Sequence, residues 1–327
     1  MENTLTRKEQ FSLSWLGRYY KELLPFVYLI ATIVIFGILT GGSLFRKSSL
    51  LSILDQALIF ATISTSVSFI YTSGNLDISI GSAMAVAAIL AVMLFKATGS
   101  LFLMFASCIA IAIVLMTFNC TLSTYLSIKP ATVGIVMMNV YSLVQSSLIG
   151  KAVNIKIDYA TLDFLEASPI RYVLFFGYIA LVLIIYNLTP VGRMARFIGG
   201  NANCAEQAGI SSVKIKYIAF LICGLGVGLS GLFTIIRAGG VSLNTGGGFG
   251  MECMLATVIG GMSIFGGAQS KAHAGVIGAL TVSALNKGML MVGVSSTLIQ
   301  GFRGVIFLFL VYLCAEKQPT LPAREQF

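Results

Sequence analysis

Apolar runs separated by short polar segments dominate the pattern of the chain. A transmembrane helix needs about 20 mostly apolar residues, with a range of about 17–25. Runs of this kind predict ten spans, at residues 23–41, 50–72, 81–98, 101–119, 131–149, 171–189, 214–236, 251–265, 272–290 and 296–315. The eighth run is short and flanked by glycines, so its ends are the least defined. The pattern therefore predicts an all-α polytopic membrane protein.

The polar segments divide the chain into a head at residues 1–22, a transmembrane domain at 23–315 and a tail at 316–327. The first apolar run is longer than the core of a signal peptide and shows no small-residue cleavage pattern, so we expect an uncleaved anchor. Lys and Arg are enriched in cytoplasmic loops. A cytoplasmic head places twelve of them inside and nine outside, and both termini are then cytoplasmic.

Two polar, glycine-containing segments interrupt the apolar pattern, one before the third span and one before the eighth. We call residues 73–79, SGNLDIS, the first break and residues 239–250, GGVSLNTGGGFG, the second break. Ten spans divide into two five-helix halves, and a repeat with an odd number of spans must be inverted in the membrane. Inverted halves commonly enclose a translocation pathway with broken helices at its site.

The first break carries the polar residues Asn75, Asp77 and Ser79. Asp77 and Ser79 are suited to cap the helix that begins near Gly81, because their oxygens accept free N–H groups and a carboxylate favours the positive helix end. Capping alone accounts for both residues. The alternative is that the break also lines a polar pathway.

The second break contains Asn244 and Thr245 ahead of three glycines, and Glu252 follows at the start of the eighth span. Glycine permits close backbone approach and positive φ angles. A gate and a flexible outer loop are both open interpretations of this segment.

The longest polar interruption of the second half is the 191–216 loop, which holds four basic residues and one acid, Glu206. Its turn and cap signals are Gly199, Gly200, Asn201 and Gly209. They predict a turn, then a short helix over residues 202–208 with Asn201 as its N-cap and Gly209 just beyond its end. The loop is either a solvated linker with cationic anchors or a rigid helix offered to a cytoplasmic partner.

Composition supports the membrane class and excludes others. The chain is 57% hydrophobic and 10% charged, with a mean hydropathy of +0.93, whereas about 25% of residues in soluble domains are charged. The net charge of +9 fits loops facing an anionic lipid leaflet. No basic run with interleaved aromatic residues occurs, so nucleic acid is not an expected partner. The six cysteines lack metal or disulfide spacing and are expected to be free thiols.

Motifs for catalysis and nucleotide binding do not occur. The chain has no GxxxxGK[ST] sequence, and its one GxGxxG match, residues 226–231, lies inside a span, where it favours close helix packing. His273 is the only histidine and has no carboxylate or cysteine beside it, so no metal site and no cofactor are predicted. Asp55 and Arg303 lie near predicted span ends, where snorkelling or an interfacial pair explains them.

Three stretches carry a resemblance to a known family: SGNLDISIGSAMAVAAILA (73–91), FIGGNANCAEQAGISSVKIK (197–216) and GGGFGMECMLATVIGGMSIFGG (246–267). They are similar to motifs of permease subunits of bacterial ABC importers of the ribose and monosaccharide type. The matching residues are Asp77, Ser79, Gly81, Ser82, Gly199, Gly200, Asn201, Gly209, Ile210, Gly260, Gly261, Ser263, Phe265, Gly266 and Gly267.

The sequence departs from the family pattern at four positions. Asn75 stands where glycine is usual, Glu206 where a basic residue is common, Gly250 at a glutamate position and Glu252 at an aspartate position. These differences bear on the solute more than on the fold, and they also suit one half of a permease heterodimer.

The resemblance implies that this chain supplies the path for a small polar solute, most simply a monosaccharide, across a bacterial inner membrane by alternating access. It implies cytoplasmic ABC ATPase subunits as partners, docking on the 191–216 loop at Gly199, Gly200, Asn201, Glu206 and Gly209. An extracytoplasmic solute-binding protein and a second permease copy or related subunit complete the assembly. Asn75, Asp77, Ser79, Asn244 and Glu252 are then candidate pathway or gate residues.

Other functions remain as alternatives. A permease for a nucleoside or an amino acid has the same architecture. A stand-alone secondary transporter often carries buried ionisable groups for ion coupling, and these are sparse here. A membrane-embedded enzyme needs paired catalytic residues, and none occur.

Overall fold

The computed structural model describes residues 7–150, 154–167, 169–262, 266–267 and 270–314. Its helices are α1 Arg7–Leu39, α2 Lys47–Thr72, α3 Ile80–Thr98, α4 Leu101–Tyr125, α5 Pro130–Ile149, α6 Tyr159–Ala167, α7 Ile170–Leu188, α8 Pro190–Gly200, α9 Ala202–Gln207, α10 Ser212–Ala238, α11 Phe249–Ile259, α12 Ala274–Met291 and α13 Ser296–Cys314. Strand β1 is Asn154–Lys156 and strand β2 is Gly240–Ser242. The protein is thus an all-α membrane protein, and its described residues include one small two-stranded antiparallel sheet.

Some sequence-based predictions fall outside the described residues. These are the tail at 316–327, the end of the eighth predicted span at 263–265, which includes Ser263 and Phe265, and the first six residues of the head. The rest of the predicted head forms the start of α1, which begins at Arg7.

Within the described part of the chain, seven helices are long and apolar enough to cross a membrane: α2, α3, α4, α5, α7, α10 and α12. Shorter apolar helices cover Leu23–Leu39 in α1 and Phe249–Ile259, which is α11. At 1.5 Å per residue, the 11 residues of α11 extend about 17 Å, roughly half of a 30 Å hydrocarbon core. Helices therefore lie at all ten predicted positions, and the count of ten complete spans stays a prediction.

Two helices form the centre of the fold. α2 and α10 pack against each other, α2 also packs on α12, and α10 also packs on α4. Around this centre, α3 contacts α4, α5 and α10, while α11 contacts α12, α13 and α2. Three buried hydroxyl groups of α2 are bonded within the helix, because Thr62, Ser68 and Thr72 donate to carbonyl oxygens four residues earlier. This pattern lets a polar helix occupy an apolar core.

Glycines in α10 bring its backbone against α4, as the small-residue motif predicted. A methyl group added at Gly224 would lie 2.7 Å from Cα of Ile113, and one added at Gly228 would lie 2.6 Å from Cα of Ile109. Glycines four residues apart therefore contact residues four apart on the neighbouring helix. Such close approach is how membrane helices gain packing energy without a hydrophobic drive between them.

The small sheet joins two segments that lie between spans. β1 and β2 pair antiparallel, with Asn154 opposite Ser242 and Lys156 opposite Gly240. The sheet therefore attaches the loop after α5 to the beginning of the second break.

We expect Gly228→Ala to destabilise the protein by about 1–3 kcal/mol, because the added methyl group overpacks the contact with α4. Gly177→Ala is the matched control, since no heavy atom of the described residues lies within 4 Å of its added methyl group. The measurement is the apparent Tm of each purified variant in detergent. Equal Tm values for the two variants would contradict the packing role of Gly228.

Candidate functional site

The first and second breaks, far apart in the sequence, contact each other through backbone. A methyl group added at Gly81 would overlap the carbonyl oxygen of Gly246, and one added at Gly250 would overlap that of Ile78. α3 begins at Ile80, directly after the first break, and α11 begins inside the second. The two breaks therefore form one junction at which two helices start, and we call it the break junction.

A buried hydrogen-bond network holds the first break to α4 and α5. Asp77 Oδ1 accepts from the Ser79 N–H at 2.8 Å and from the Ser79 hydroxyl at 2.7 Å. Asn119 Nδ2 donates to Asp77 Oδ2 at 3.3 Å and to Ser79 Oγ at 2.7 Å. Tyr141 in turn donates its hydroxyl to Asn119 Oδ1 at 2.7 Å. All four side chains are buried. Asp77 thus bonds Asn119 of α4, and Asn119 in turn bonds Tyr141 of α5.

The prediction that Asp77 and Ser79 cap α3 is wrong in its geometry. Ser79 occupies the N-cap position, but its side chain makes no capping bond with a described residue. Its backbone, with φ −70° and ψ −11°, lies outside the extended region typical of capping residues. Its hydroxyl is already bonded to Asp77 and Asn119, and Asp77 accepts the N–H of Ser79 itself. Both residues therefore shape the first break and do not cap the helix after it.

Asn75 lies in a different part of the first break. Its Nδ2 donates to Ser73 Oγ at 3.1 Å, and it lines a cavity of about 540 Å³ together with Lys129 and Lys216. Ile198 of α8 also faces this cavity. The first break therefore has one side directed at the buried Asp77 network and another directed at a cavity that two lysines line.

A glutamine from α5 holds the second break. Gln145 is buried, and its Nε2 lies 3.0 Å from each of the carbonyl oxygens of Ser242, Leu243 and Thr245. The Thr245 hydroxyl also accepts from the Ser242 N–H at 2.8 Å. Asn244, at the tip of the segment, is exposed. These bonds fix the backbone of the second break instead of leaving it as a free loop.

Glu252 belongs to a buried ion pair between helices. Its carboxylate bonds the guanidinium of Arg303 in α13, and Arg303 Nε donates to Asn286 Oδ1 of α12 at 2.9 Å. Glu252 is 5% exposed. A charge in a membrane interior is tolerated when it is paired and hydrogen-bonded, so Arg303 has a specific partner and does not snorkel.

The other acid in a predicted span is also paired. Asp55 Oδ1 of α2 lies 3.2 Å from Arg171 Nη1 at the start of α7. This contact fits the interfacial pair that the sequence suggested for Asp55.

The short helix predicted in the 191–216 loop is present as α9, Ala202–Gln207. Asn201 Oδ1 accepts from the Cys204 N–H at 3.1 Å, which makes it the N-cap. Gly209, with φ +80°, closes the other end: its N–H donates to the Glu206 carbonyl, and the Ile210 N–H donates to the Ala205 carbonyl, each at 2.9 Å. This bond pair is a Schellman motif, so both helix-end predictions are confirmed.

The turn predicted at Gly199 and Gly200 is wrong, because both residues belong to the last turn of α8. The reason is a tertiary contact. A methyl group added at Gly199 would overlap the carbonyl oxygen of Thr72, the last residue of α2. Glycine is therefore needed here so that α8 can lie directly on the end of α2.

Further contacts anchor α8 at the same place, immediately before the first break. The Tyr186 hydroxyl lies 2.8 Å from Thr72 Oγ1 and donates to the Ser270 carbonyl at 2.8 Å. Arg196 of α8 donates to the Tyr186 carbonyl at 2.8 Å, and its guanidinium lies 4.7 Å from the centroid of the Tyr186 ring. The sequence predicted Arg196 only as part of a basic loop, and this cluster was missed. The one signal for it was a cationic side chain ten residues after Tyr186.

Comparison with known proteins gives consistent matches. The family model described as branched-chain amino acid transport system / permease component matches residues 49–311. The chain is 25% identical to the fructose import permease protein of Bifidobacterium longum over 87% of this chain and 81% of that protein. It is 26% identical to the ribose import permease protein of Bacillus subtilis over 91% and 94% of the two chains. No solved structure matches it.

A third relative shows that solutes differ among these proteins. The chain is 27% identical to the autoinducer 2 import system permease protein of Photorhabdus laumondii, over 80% of each chain. Each of the three matches covers at least four-fifths of both partners.

We expect Asp77→Ala to destabilise the protein by about 1–3 kcal/mol, because buried donors on Ser79 and Asn119 lose their acceptor. Asp77→Asn should be milder, since its carbonyl oxygen still accepts from Ser79 while its amide faces the Asn119 amide as a second donor. The control is Asp163→Ala, which removes an exposed carboxylate from α6. Apparent Tm and membrane-inserted yield are measured together, and an Asp77→Ala protein as stable as Asp163→Ala would contradict the network.

Proposed function

The chain belongs to the family of permease components of branched-chain amino acid transport systems, and from that premise we propose that it imports a monosaccharide by alternating access. The observation that carries this proposal is the near full-length similarity to import permeases named for fructose and for ribose. As a permease component it is a transport subunit and not an enzyme. ATP hydrolysis belongs to a partner subunit.

An amino acid is the second candidate solute, because the family description names branched-chain amino acids. A zwitterion is bound more tightly where opposite charges face its carboxylate and its ammonium group. The buried Glu252 and Arg303 are already paired with each other. Sugar hydroxyls need only neutral donors and acceptors, which favours the monosaccharide.

The fold proposed for this function is two inverted five-helix halves with ten crossings. The packing of the helices supports it, because contacts made by helices of the first half have counterparts among the corresponding helices of the second half. α2 packs on α12 as α10 packs on α4, and α3 contacts α4 and α10 as α11 contacts α12 and α2. Under this exchange the first break corresponds to the second, and both lie at the break junction.

We propose that the break junction is the gate. Asp77 and Ser79 set the backbone of the first break, and Glu252 fixes α11 through Arg303. Asn75 faces the 540 Å³ cavity and Asn244 is exposed in the second break. These positions support a moving solute meeting the amide side chains of Asn75 and Asn244 on either side of a backbone constriction, while Asp77 and Glu252 stay in its supports.

A second permease copy, or a related subunit, is proposed to cover α5. Thr132, Asn139 and Ser146 are exposed and spaced by seven residues, so they lie on one face of this apolar helix. Polar side chains facing lipid are costly. A face of this kind is therefore suited to a pathway between two permease subunits.

We propose that α9 docks on a cytoplasmic ATPase subunit and that an extracytoplasmic binding protein delivers the solute to the opposite side. All residues of α9 except Ala205 are exposed, and both ends are closed by the cap and the Schellman motif. Because α8 is anchored on Thr72, a displacement of α9 would be transmitted through α8 to the end of α2, where the first break begins.

The function is tested by reconstituting the chain with its ATPase and binding protein and measuring uptake of ribose, fructose and leucine. We expect ATP-dependent uptake of a sugar and none of leucine. Glu206→Ala on α9 should lower ATP-driven uptake by about tenfold if the loss of one docking contact costs roughly 1.4 kcal/mol. Glu166→Ala, which removes an exposed carboxylate from α6, is the control. Uptake of leucine alone would refute the sugar proposal, and equal uptake by both variants would refute docking through Glu206.

The proposed cytoplasmic side of the 191–216 loop can be checked with a native thiol. Cys204 is exposed, whereas Cys108, Cys120, Cys223 and Cys253 are buried. A membrane-impermeant maleimide should label Cys204 in inside-out vesicles and leave it unlabelled in intact cells. Cys204→Ser reports the background from other thiols. Labelling of Cys204 in intact cells would overturn the topology with both termini in the cytoplasm.

A further inference from the structure

The 540 Å³ cavity beside the first break lies among four parts of the fold. Its walls come from the first break, from the connection between α4 and α5, from the start of α10, and from α8 and α9. Its volume falls in the range of about 300–1,000 Å³ typical of small-molecule sites. None of the gate contacts described above fills it.

The charge of this cavity is positive. Lys129 and Lys216 line it, and among its described lining residues there is no Asp or Glu. Lys216 is partly buried, and its Nζ donates to the Ser123 hydroxyl at 2.8 Å. That partner is neutral, so the ammonium group retains two donors and an uncompensated charge in a partly desolvated position.

Neutral donors are present in the same walls. Ser212 lies one helical turn before Lys216 on α10, and its Oγ is buried without a hydrogen-bond partner among the described residues. Buried hydroxyl groups normally have a partner, and a group bound in this cavity would supply one. Lys129 immediately precedes α5, whose N-terminus, like that of α10, directs positive dipole toward the cavity walls.

We propose that this cavity binds a phosphate group, held by Lys129, Lys216 and the Ser212 hydroxyl. A phosphate offers several strong acceptor oxygens and up to two negative charges, which match two ammonium groups and a free hydroxyl donor. The cavity has room for more than the phosphate, so a phosphate ester of a small sugar fits as well. A lipid headgroup carries the same chemistry, and the experiment below separates the two sources.

Occupancy of this site would connect parts that the proposed transport cycle moves. Asn75 and Ser73 belong to the first break, while Ala202 belongs to the helix proposed to dock on the ATPase. A bound phosphate ester would hold these elements together and slow transport from the inside. Only this regulatory consequence rests on the proposed importer function.

The test uses the purified full chain in phosphatidylcholine nanodiscs, without ATPase or transport. Apparent Tm is measured against inorganic phosphate, ribose 5-phosphate and ribose, with ionic strength held constant by sodium chloride. Because a ligand that binds the folded state raises Tm, we expect both phosphates to raise it and ribose to leave it unchanged. Lys216→Gln and Lys129→Gln should each weaken phosphate binding about tenfold or more.

Lys214→Gln is the matched control, because it removes an exposed lysine two residues from Lys216 that does not line the cavity. Ser212→Ala leaves both charges in place and should also weaken binding. A second set of nanodiscs containing phosphatidylglycerol identifies the source. If that lipid raises Tm in the wild-type protein and not in Lys216→Gln, and free phosphate then has no effect, the headgroup is the ligand.

Phosphate shifts no larger than those of sodium chloride, with no response to phosphatidylglycerol, would overturn the proposal. Equal shifts in wild type, Lys216→Gln and Lys129→Gln would overturn it as well. Because binding is measured on the permease alone, such a result leaves the importer function untouched. Failure of ATP-dependent sugar uptake would conversely leave this site in place.

Discussion

This structure depends on one constraint: backbone N–H and carbonyl groups need hydrogen-bond partners wherever a helix is interrupted inside the protein. Without water, each free N–H or carbonyl costs several kcal/mol, so a non-helical segment in the interior needs partners from its neighbours. The second break obtains them from Gln145, which reaches three carbonyl oxygens, and from β1. The first break obtains one from Asp77. The amide side chains of Asn119 and Gln145, both in predicted spans, therefore lie beside the breaks.

This constraint also explains why the parts proposed for coupling and gating share one place. The end of α2 at Thr72 is contacted by Gly199 of α8, by Tyr186 of α7 and by the backbone N–H of Gly267. The first break starts at the next residue. A displacement of α8 that keeps these contacts must move the last turn of α2, and with it the start of the first break. The Asp77 network then relates that movement to α4 and α5.

Local signals in the sequence predicted local structure correctly. The errors arose where residues distant in the sequence bind the same side chain or contact the same backbone. Apolar runs placed the helices, and the caps Asn201 and Gly209 placed α9, because both signals act within a few residues. Capping of α3 by Ser79 failed because Asn119, forty residues away, takes its hydroxyl. The turn at Gly199 failed because α2 lies against it. No local pattern joined Glu252 to Arg303, because the two residues lie 51 positions apart in the sequence.

The arrangement of acids bears on where the energy for transport comes from. A transporter that couples a solute to protons commonly uses a buried carboxylate that is free to take up the proton at some stage. The two acids in predicted spans are bonded to arginines, Asp55 to Arg171 and Glu252 to Arg303. Asp77 accepts from three donors. Each carboxylate thus stabilises helices against one another, which leaves the driving force to a partner outside this chain. In the proposed function, the exposed and doubly capped α9 is the element that receives that force.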